Sequence, residues 1–337
     1  MPLGLSMTVA LVACGSDGNT ETGDEGAQAG GTSGQTRVVV TTSILGDIVG
    51  EVMGDAADIE TVMPLGADPH EFSASTRQAE EMVQADLLVV NGAGFEAGLE
   101  DVIDQARADG VPVFSFAEHV DLLPFEEHEH EEEAAAHSDD DETHEDDTDH
   151  AASDAEHDDH GDDDPHLWTD PRRVAEALQA LPGAVGDLDS VDAAPLTERT
   201  AAYAAELMAL DRDIESLVAD IPEQRRVLVT NHEVFGYFAD RYGFEVVGTV
   251  IPSVTTLAEP SAAELESLAQ EIEEHGVPAI FAETTQSADL AETLADSVGD
   301  VEVVELYTES LGEEGSGAET YVGLMRTNAE RIANALG

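Results

Sequence analysis

The sequence predicts an α/β protein with two open α/β sandwich lobes joined by one long rigid helix. Short apolar runs alternate with segments of helical spacing in residues 37–116 and again in residues 225–336, as in parallel β/α units. Between them, from Pro195 to Pro222, helical spacing continues over about 26 residues, which corresponds to about 39 Å of helix at 1.5 Å per residue. A chain of 337 residues with 42% apolar residues is long enough to bury two cores.

The elements of the first lobe follow each other without a break. Strands are predicted at the β-branched runs RVVVTTS, DIETVMP, DLLVVNG and VPVFSF. The helical segments between them are ILGDIVGEVMG, TRQAEEMVQA and FEAGLEDVIDQARADG.

The second lobe repeats this alternation. Its predicted strands are RRVLVTN, FEVVGTV, PAIFAET and VEVVEL, and its predicted helices are HEVFGYFADRYG, SAAELESLAQEIEEHG, LAETLADSVG and ETYVGLMRTNAERIANAL. In open parallel sheets, ligands bind beyond the carboxyl ends of the strands. Candidate site residues are therefore sought in the loops that follow the strands.

The N-terminus resembles a bacterial lipoprotein signal. A short apolar run ends in LVAC, and the residues after Cys14 are rich in Gly, Ser and Thr, which is typical of a lipobox followed by a tether. Cys14 is the single cysteine of the chain and is the predicted lipidation site. We expect a protein outside the cytoplasmic membrane that contacts this membrane only through a lipid anchor.

The chain is strongly acidic, with 75 Asp and Glu residues against 12 Arg and a formal net charge of −63. Nucleic acid is therefore a poor partner. Residues 126–164 are mostly Asp, Glu and His without apolar periodicity, which predicts a disordered insert within the first lobe. The predicted division is a signal peptide (1–14), a tether (15–36), an N-terminal lobe (37–190), a linker helix (191–222) and a C-terminal lobe (223–337).

Three histidines lie at predicted junctions between elements. His70 follows the strand DIETVMP, His166 precedes a helix that begins at Pro171, and His232 follows the strand RRVLVTN. Three imidazoles and one oxygen donor make a tetrahedral site for an ion such as Zn²⁺. The candidate oxygen donors at strand ends of the second lobe are Glu283 and Glu309.

Six motifs in order resemble the zinc- and manganese-specific solute-binding lipoproteins of bacterial ABC importers. These motifs are DPHEF, DPHLWTDP, NHEVFGYFADRYG, FAETTQS, LYTESLG and TYVGLMRTN, and the resemblance covers residues 37–337. It implies a metal site in the cleft between the lobes and a membrane permease as the partner. Such a protein captures a metal ion and delivers it for import, and we expect a monomer.

Carried over residue by residue, the resemblance implies that His70, His166 and His232 are the imidazole ligands. The fourth ligand, usually an aspartate in this family, falls on Glu309, whose side chain is one methylene longer. Glu283 matches a position beside the site, as a carboxylate that orients a ligand or as an alternative ligand.

Zinc is the predicted ion because three imidazoles and one carboxylate suit it, whereas Mn²⁺ prefers more oxygen donors. Manganese is the alternative. The acidic insert lies where zinc-specific relatives carry a histidine-rich loop, and its seven histidines are predicted to collect metal ions weakly. They are His128, His130, His137, His144, His150, His157 and His160. His119 and His275 are given no role.

The two alternative classes of function are a zinc hydrolase and a surface adhesin. A zinc hydrolase needs an open ligand position for water, and HEVFG lacks the second histidine of H-E-x-x-H because position 236 is glycine. The sequence therefore argues against an enzyme. A surface adhesin stays open, since an anchored protein is displayed on the exterior of the cell.

Overall fold

The structure is a computed structural model that describes residues 35–125, 163–186, 188 and 191–337. Cys14, the signal peptide, nearly all of the tether and the seven histidines of the acidic insert lie outside the described residues. In the described part of the chain, no helix is both long enough and apolar enough to cross a membrane.

The first lobe contains a four-stranded parallel sheet with the strand order β2-β1-β3-β4. Its strands are β1 (Thr36–Val40), β2 (Ala57–Thr61), β3 (Leu87–Val90) and β4 (Val113–Ser115), and the helices between them are α1 (Ser43–Met53), α2 (Thr76–Val83) and α3 (Glu100–Ala108). The strands β1 and β3 are almost completely buried, as expected of a parallel sheet covered on both faces.

The second lobe contains a sheet of the same form, with the order β6-β5-β7-β8 and all strands parallel. Its strands are β5 (Val227–Thr230), β6 (Glu245–Thr249), β7 (Ala279–Glu283) and β8 (Glu302–Leu306), and its helices are α7 (Gly236–Tyr242), α8 (Ala262–His275), α9 (Asp289–Val298) and α10 (Tyr321–Leu336). The predicted α/β class with two lobes is confirmed.

Three helices link the two sheets: α4 (Pro171–Ala177), α5 (Leu181–Gly186) and the long α6 (Ala193–Val218). The side chain of Asp192 caps the first turn of α6 by accepting the N–H of Ala194, so α6 begins before Pro195. It ends at Val218, short of Pro222. The helix packs against α1 of the first lobe, against α4 and α5, and against α10 of the second lobe.

One hydrophobic cluster continues through both lobes. It includes Val38 of β1, Leu207 of α6, Phe281 of β7 and Ile332 of α10, all fully buried. Two smaller clusters lie on the outer faces of the two sheets. Separating the lobes would therefore expose shared apolar core to water, which opposes large hinge motions.

Two sequence predictions differ from the structure. The predicted insert ends at Asp164, but Asp163 forms an antiparallel bridge with Pro124, and Asp164 is buried. The helix predicted from His232 begins at Gly236, because the N–H of Val234 bonds the carbonyl of His232 in a tight turn. This turn leaves His232 in the loop between β5 and α7.

Candidate metal centre

Four side chains from separate parts of the chain meet between the two sheets. His70 lies in the loop after β2, His232 in the loop after β5, and Glu309 in the loop after β8. His166 comes immediately before a short 3-10 turn, Leu167–Thr169, that leads into α4. Loops at the carboxyl ends of parallel strands thus supply three of the four groups, as open sheets predict.

The four side chains direct their donor atoms to one point. The Oε1 atom of Glu309 lies 2.9 Å from Nε2 of His70, 3.4 Å from Nε2 of His232 and 3.9 Å from Nε2 of His166. The Nε2 atoms of His166 and His232 are 3.3 Å apart. One potential ligand atom from each residue lies within 4.8 Å of all the others.

This arrangement leaves buried polar atoms without hydrogen bonds. All four residues are at most 4% exposed, yet neither Nε2 of His70 nor Oε1 of Glu309 has a hydrogen-bond partner among the described residues. Their 2.9 Å contact therefore does not have hydrogen-bond geometry. A buried acceptor without a partner is costly. A cation bound to both atoms would remove that cost, so the residues fit a metal ion.

Two of the imidazoles have a buried carboxylate next to Nδ1, the ring nitrogen that does not face the other ligands. Asp164 Oδ1 lies 2.8 Å from Nδ1 of His166, and Glu283 Oε1 lies 2.5 Å from Nδ1 of His232. The second oxygen of Glu283 accepts the hydroxyl of Thr308 at 2.7 Å. Such contacts fix the ring orientation of a metal-binding histidine and leave Nε2 free to bind the ion. Glu283 therefore lies behind His232, outside the group of four.

Two aromatic side chains, Phe95 and Trp168, pack against the histidines of the cluster. The Phe95 ring packs edge-on against His70 and His166, with centroid distances of 5.2 and 5.9 Å. Trp168, the single tryptophan of the chain, lies 5.3 Å from the His166 ring and donates its indole N–H to the carbonyl of Thr308 at 2.7 Å. Trp168 is thus a spectroscopic probe located beside the centre.

The two central imidazoles have pKa shifts in opposite directions. Burial lowers the pKa of His166, and the carboxylate of Asp164 does not fully compensate. Burial also lowers the pKa of His232, but the carboxylates of Glu283 and Glu309 together raise it well above its usual value. Burial raises the pKa of Glu309, and the larger combined effect of the imidazoles, His232 foremost, lowers it below its usual range. These directions favour a positive charge on His232, next to the carboxylates of Glu283 and Glu309, when no ion is bound.

Sequence reasoning missed two aspartates that support the histidines. The Oδ1 atom of Asp68 accepts the backbone N–H of His70 at 2.8 Å, and Asp164 Oδ1 accepts that of His166 at 2.9 Å. The available signal was the repeated tripeptide Asp-Pro-His, in which the aspartate forms a turn that orients the histidine two residues later. In the second copy the aspartate is the last of a run of acidic residues, so the sequence does not distinguish it from its neighbours.

The other two described histidines lie outside the centre. The exposed His119 stacks on Phe114 with a centroid distance of 4.7 Å, and His275 lies at the C-terminal end of α8 beside the carbonyl of Glu271. Neither belongs to the group of potential metal ligands.

Comparison with known proteins gives matches along most of the chain. Zinc-binding protein TroA of Treponema pallidum is 29% identical over 316 residues, which cover 92% of each chain. Manganese-binding lipoprotein MntA of Halalkalibacterium halodurans is 27% identical over 332 residues, which cover 98% of this chain and 96% of the relative.

Solved structures give the same picture. The periplasmic zinc-binding protein TroA from Treponema pallidum has a TM-score of 0.75 and 28% identity, with 90% of this chain and 100% of that chain covered. A manganese-bound periplasmic metal-binding protein from candidatus liberibacter asiaticus shares the fold, with a TM-score of 0.72, 18% identity and the same coverage.

The family described as zinc-uptake complex component A, periplasmic, matches residues 38–335. This range is most of the 337-residue chain, and it contains all four members of the buried cluster. The resemblance found in the sequence motifs is thereby confirmed. The chain belongs to the family of the periplasmic component A of zinc-uptake complexes.

Proposed function

We propose that this protein captures Zn²⁺ outside the cytoplasmic membrane and delivers it to the membrane permease of an ABC importer. Family membership makes it a solute-binding component rather than an enzyme. The observation that carries the proposal is the convergence of three imidazole nitrogens and one carboxylate oxygen, two of them without hydrogen bonds, in a buried space.

In this proposal His70, His166 and His232 bind the ion through Nε2, and Glu309 binds it through Oε1. The longer side chain of glutamate reaches the centre, since Oε1 of Glu309 lies within 4 Å of all three Nε2 atoms. Four protein ligands complete a tetrahedral shell and leave no position for a reactive water. The ion is therefore cargo, and a zinc hydrolase is disfavoured.

The donor set favours zinc over manganese. Zn²⁺ takes tetrahedral nitrogen-rich sites, whereas Mn²⁺ favours carboxylate, carbonyl and water oxygens in octahedral geometry. Glu283 could supply more oxygen only by giving up its contacts with His232 and Thr308. Manganese is the second candidate because one relative is named a manganese-binding lipoprotein and another a zinc-binding protein.

The anchor and the collecting role of the insert belong to the same proposal. Cys14 in the lipobox-like LVAC would carry the lipid, and relatives are named lipoproteins. The insert histidines from His128 to His160 would bind ions weakly near the high-affinity centre, because each has carboxylate neighbours in the sequence.

The test is substitution of the ligand at the end of the insert, His166→Ala. Loss of one of four ligands should weaken zinc binding by more than the ~10–100-fold that follows loss of an outer partner. His119→Ala is the matched control, because His119 is exposed and outside the group of four. Titration calorimetry that shows an unchanged high-affinity site in the His166 variant would contradict the assignment.

A further inference from the structure

Asp68 connects the loop that carries His70 to the opposite lobe. One carboxylate oxygen accepts the N–H of His70, as described above. The other, Oδ2, accepts the hydroxyl of Thr256 at 2.6 Å and the side-chain amide N–H of Gln286. Thr256 follows β6 and Gln286 follows β7, so one carboxylate joins three loops from the two sheets.

The protein encloses the four proposed ligands. Because all four proposed ligands are at most 4% exposed, an ion cannot leave until a neighbouring segment moves. His70 comes from the first lobe, whereas His232 and Glu309 come from the second. Moving the loop around His70 away from the second lobe would therefore open the shell of ligands.

Part of that loop lies on the surface of the protein. The lobes share one hydrophobic cluster, which opposes their separation as rigid bodies. Pro64, Leu65 and Gly66 in the loop before Asp68 are exposed. Besides Asp68, the N–H of Gly66 joins this loop to the second lobe through the Ser310 hydroxyl at 2.8 Å. Release by loop movement thus breaks few bonds.

We propose that Asp68 is a positioning residue that holds His70 at the ion and sets the rate of metal release. The inference rests on the proposed function, because it assumes that His70 binds the transported ion. It adds a specific prediction, namely that the bonds from Thr256 and Gln286 to Asp68 slow dissociation.

Conservative substitutions separate the bonds between Asp68 and the second lobe from two other effects of Asp68. These are its negative charge and the turn that it forms before His70. In Asp68→Asn the amide oxygen can still accept the N–H of His70, but its NH₂ group cannot accept hydrogen bonds from Thr256 and Gln286. Thr256→Val and Gln286→Leu each remove one donor and leave the negative charge of Asp68 in place. Thr255→Val is the matched control, since the Thr255 hydroxyl lies next to Thr256 in the chain but forms its hydrogen bond with Ser253, at 3.4 Å.

The experiment measures zinc dissociation from the full chain by stopped-flow transfer to an excess of chelator, with Trp168 fluorescence as the signal. Each of the three variants should release zinc roughly tenfold faster, because a hydrogen bond to a charged acceptor is lost. The Thr255 control should match wild type. Asp68→Asn combined with Thr256→Val should be little faster than Asp68→Asn alone.

Two outcomes overturn the proposal. If Thr256→Val and Gln286→Leu release zinc as slowly as wild type, Asp68 acts only through its charge or its turn. Amide hydrogen exchange of residues 64–70 in the metal-free protein gives a second measurement that does not depend on zinc. Faster exchange in Asp68→Asn and Thr256→Val supports the contact between the lobes, and unchanged exchange contradicts it. If wild type binds no zinc at all, the proposed function itself is wrong.

Discussion

At the scale of single residues, the charge of His232 links metal binding to pH. Its two carboxylate neighbours outweigh burial and raise its pKa, while burial lowers the pKa of His166. A protonated His232 beside a neutral His166 accounts for two Nε2 atoms only 3.3 Å apart, since one can donate to the other. In the metal-free protein, such a proton would lie between two of the nitrogens that bind the ion in the proposed function.

Zinc binding near pH 7 should therefore release about one proton per ion, because His232 must become neutral to bind the metal. Below the raised pKa of His232, affinity should fall about tenfold per pH unit. Glu283→Gln removes one of the carboxylates that raise this pKa, so fewer protons should be released. Calorimetry in buffers of different ionisation enthalpy measures the number, with Glu302→Gln at an exposed position as the control. Equal proton release in wild type and Glu283→Gln would contradict this charge assignment.

Asp164 gives a second prediction at this scale. Asp164→Ala removes the contact with Nδ1 of His166 and the acceptor of its backbone N–H, so zinc affinity should fall by roughly 10–100-fold. Competition with a chelator measures the affinity. Asp163→Ala is the matched control, because Asp163 is the exposed neighbour. Equal affinity in the two variants would show that Asp164 does not orient the ligand.

The sequence was sufficient to predict the group of four, because the motifs around His70, His166, His232 and Glu309 each carry a recognisable context. It was insufficient for Asp164. In a run of identical aspartates, composition cannot distinguish the side chain that is buried from those that are solvated. Only the packing of Asp164 against His166, and the bond from the Tyr237 hydroxyl to its carbonyl at 2.6 Å, make that distinction.

At the scale of elements, the alternation of strands and helices was predictable because each strand is a short β-branched run bounded by turn residues. The start of α7 was not. Helical spacing continues back to His232 in the sequence, but the turn before Gly236 is required to bring the imidazole to Glu283 and the centre. The local preference for helix is overridden by the contacts of the site.

The base of the acidic insert is also defined at this scale. Pro124 and Asp163 pair as neighbours, and the Tyr237 hydroxyl accepts the N–H of Leu123 at 3.0 Å. Both ends of the insert are therefore fixed by contacts that lie outside residues 126–162. The high-affinity site should not depend on the insert for its geometry.

Replacing residues 126–162 by Asn-Gly should leave a folded protein with one high-affinity zinc site and fewer weakly bound ions. The substitution makes a short three-residue hairpin loop between Pro124 and Asp163, with glycine at its last position. Titration calorimetry measures stoichiometry and affinity in one experiment. A full-length chain in which the seven insert histidines are changed to Gln is the control for the loss of weak sites. Loss of high-affinity binding in the shortened protein would show that the site depends on the insert for its geometry.

At the scale of the whole molecule, charge and packing act together. The formal net charge of −63 raises the local concentration of cations, whereas the buried centre lies in a core shared by both lobes. The division into lobes at residues 190 and 222 stays a prediction, since the continuous hydrophobic cluster crosses it. A shared core fits a protein that opens by local loop movement around His70.

In the proposed function, His70, His166, His232 and Glu309 form one zinc-selective site. Metal analysis after equilibrium dialysis of the insert-free protein against equal concentrations of Zn²⁺ and Mn²⁺ tests it most directly, because the weak sites are absent. We predict a single zinc ion per chain and no retained manganese. Preferential retention of manganese, or retention of no metal, would contradict a zinc-selective site.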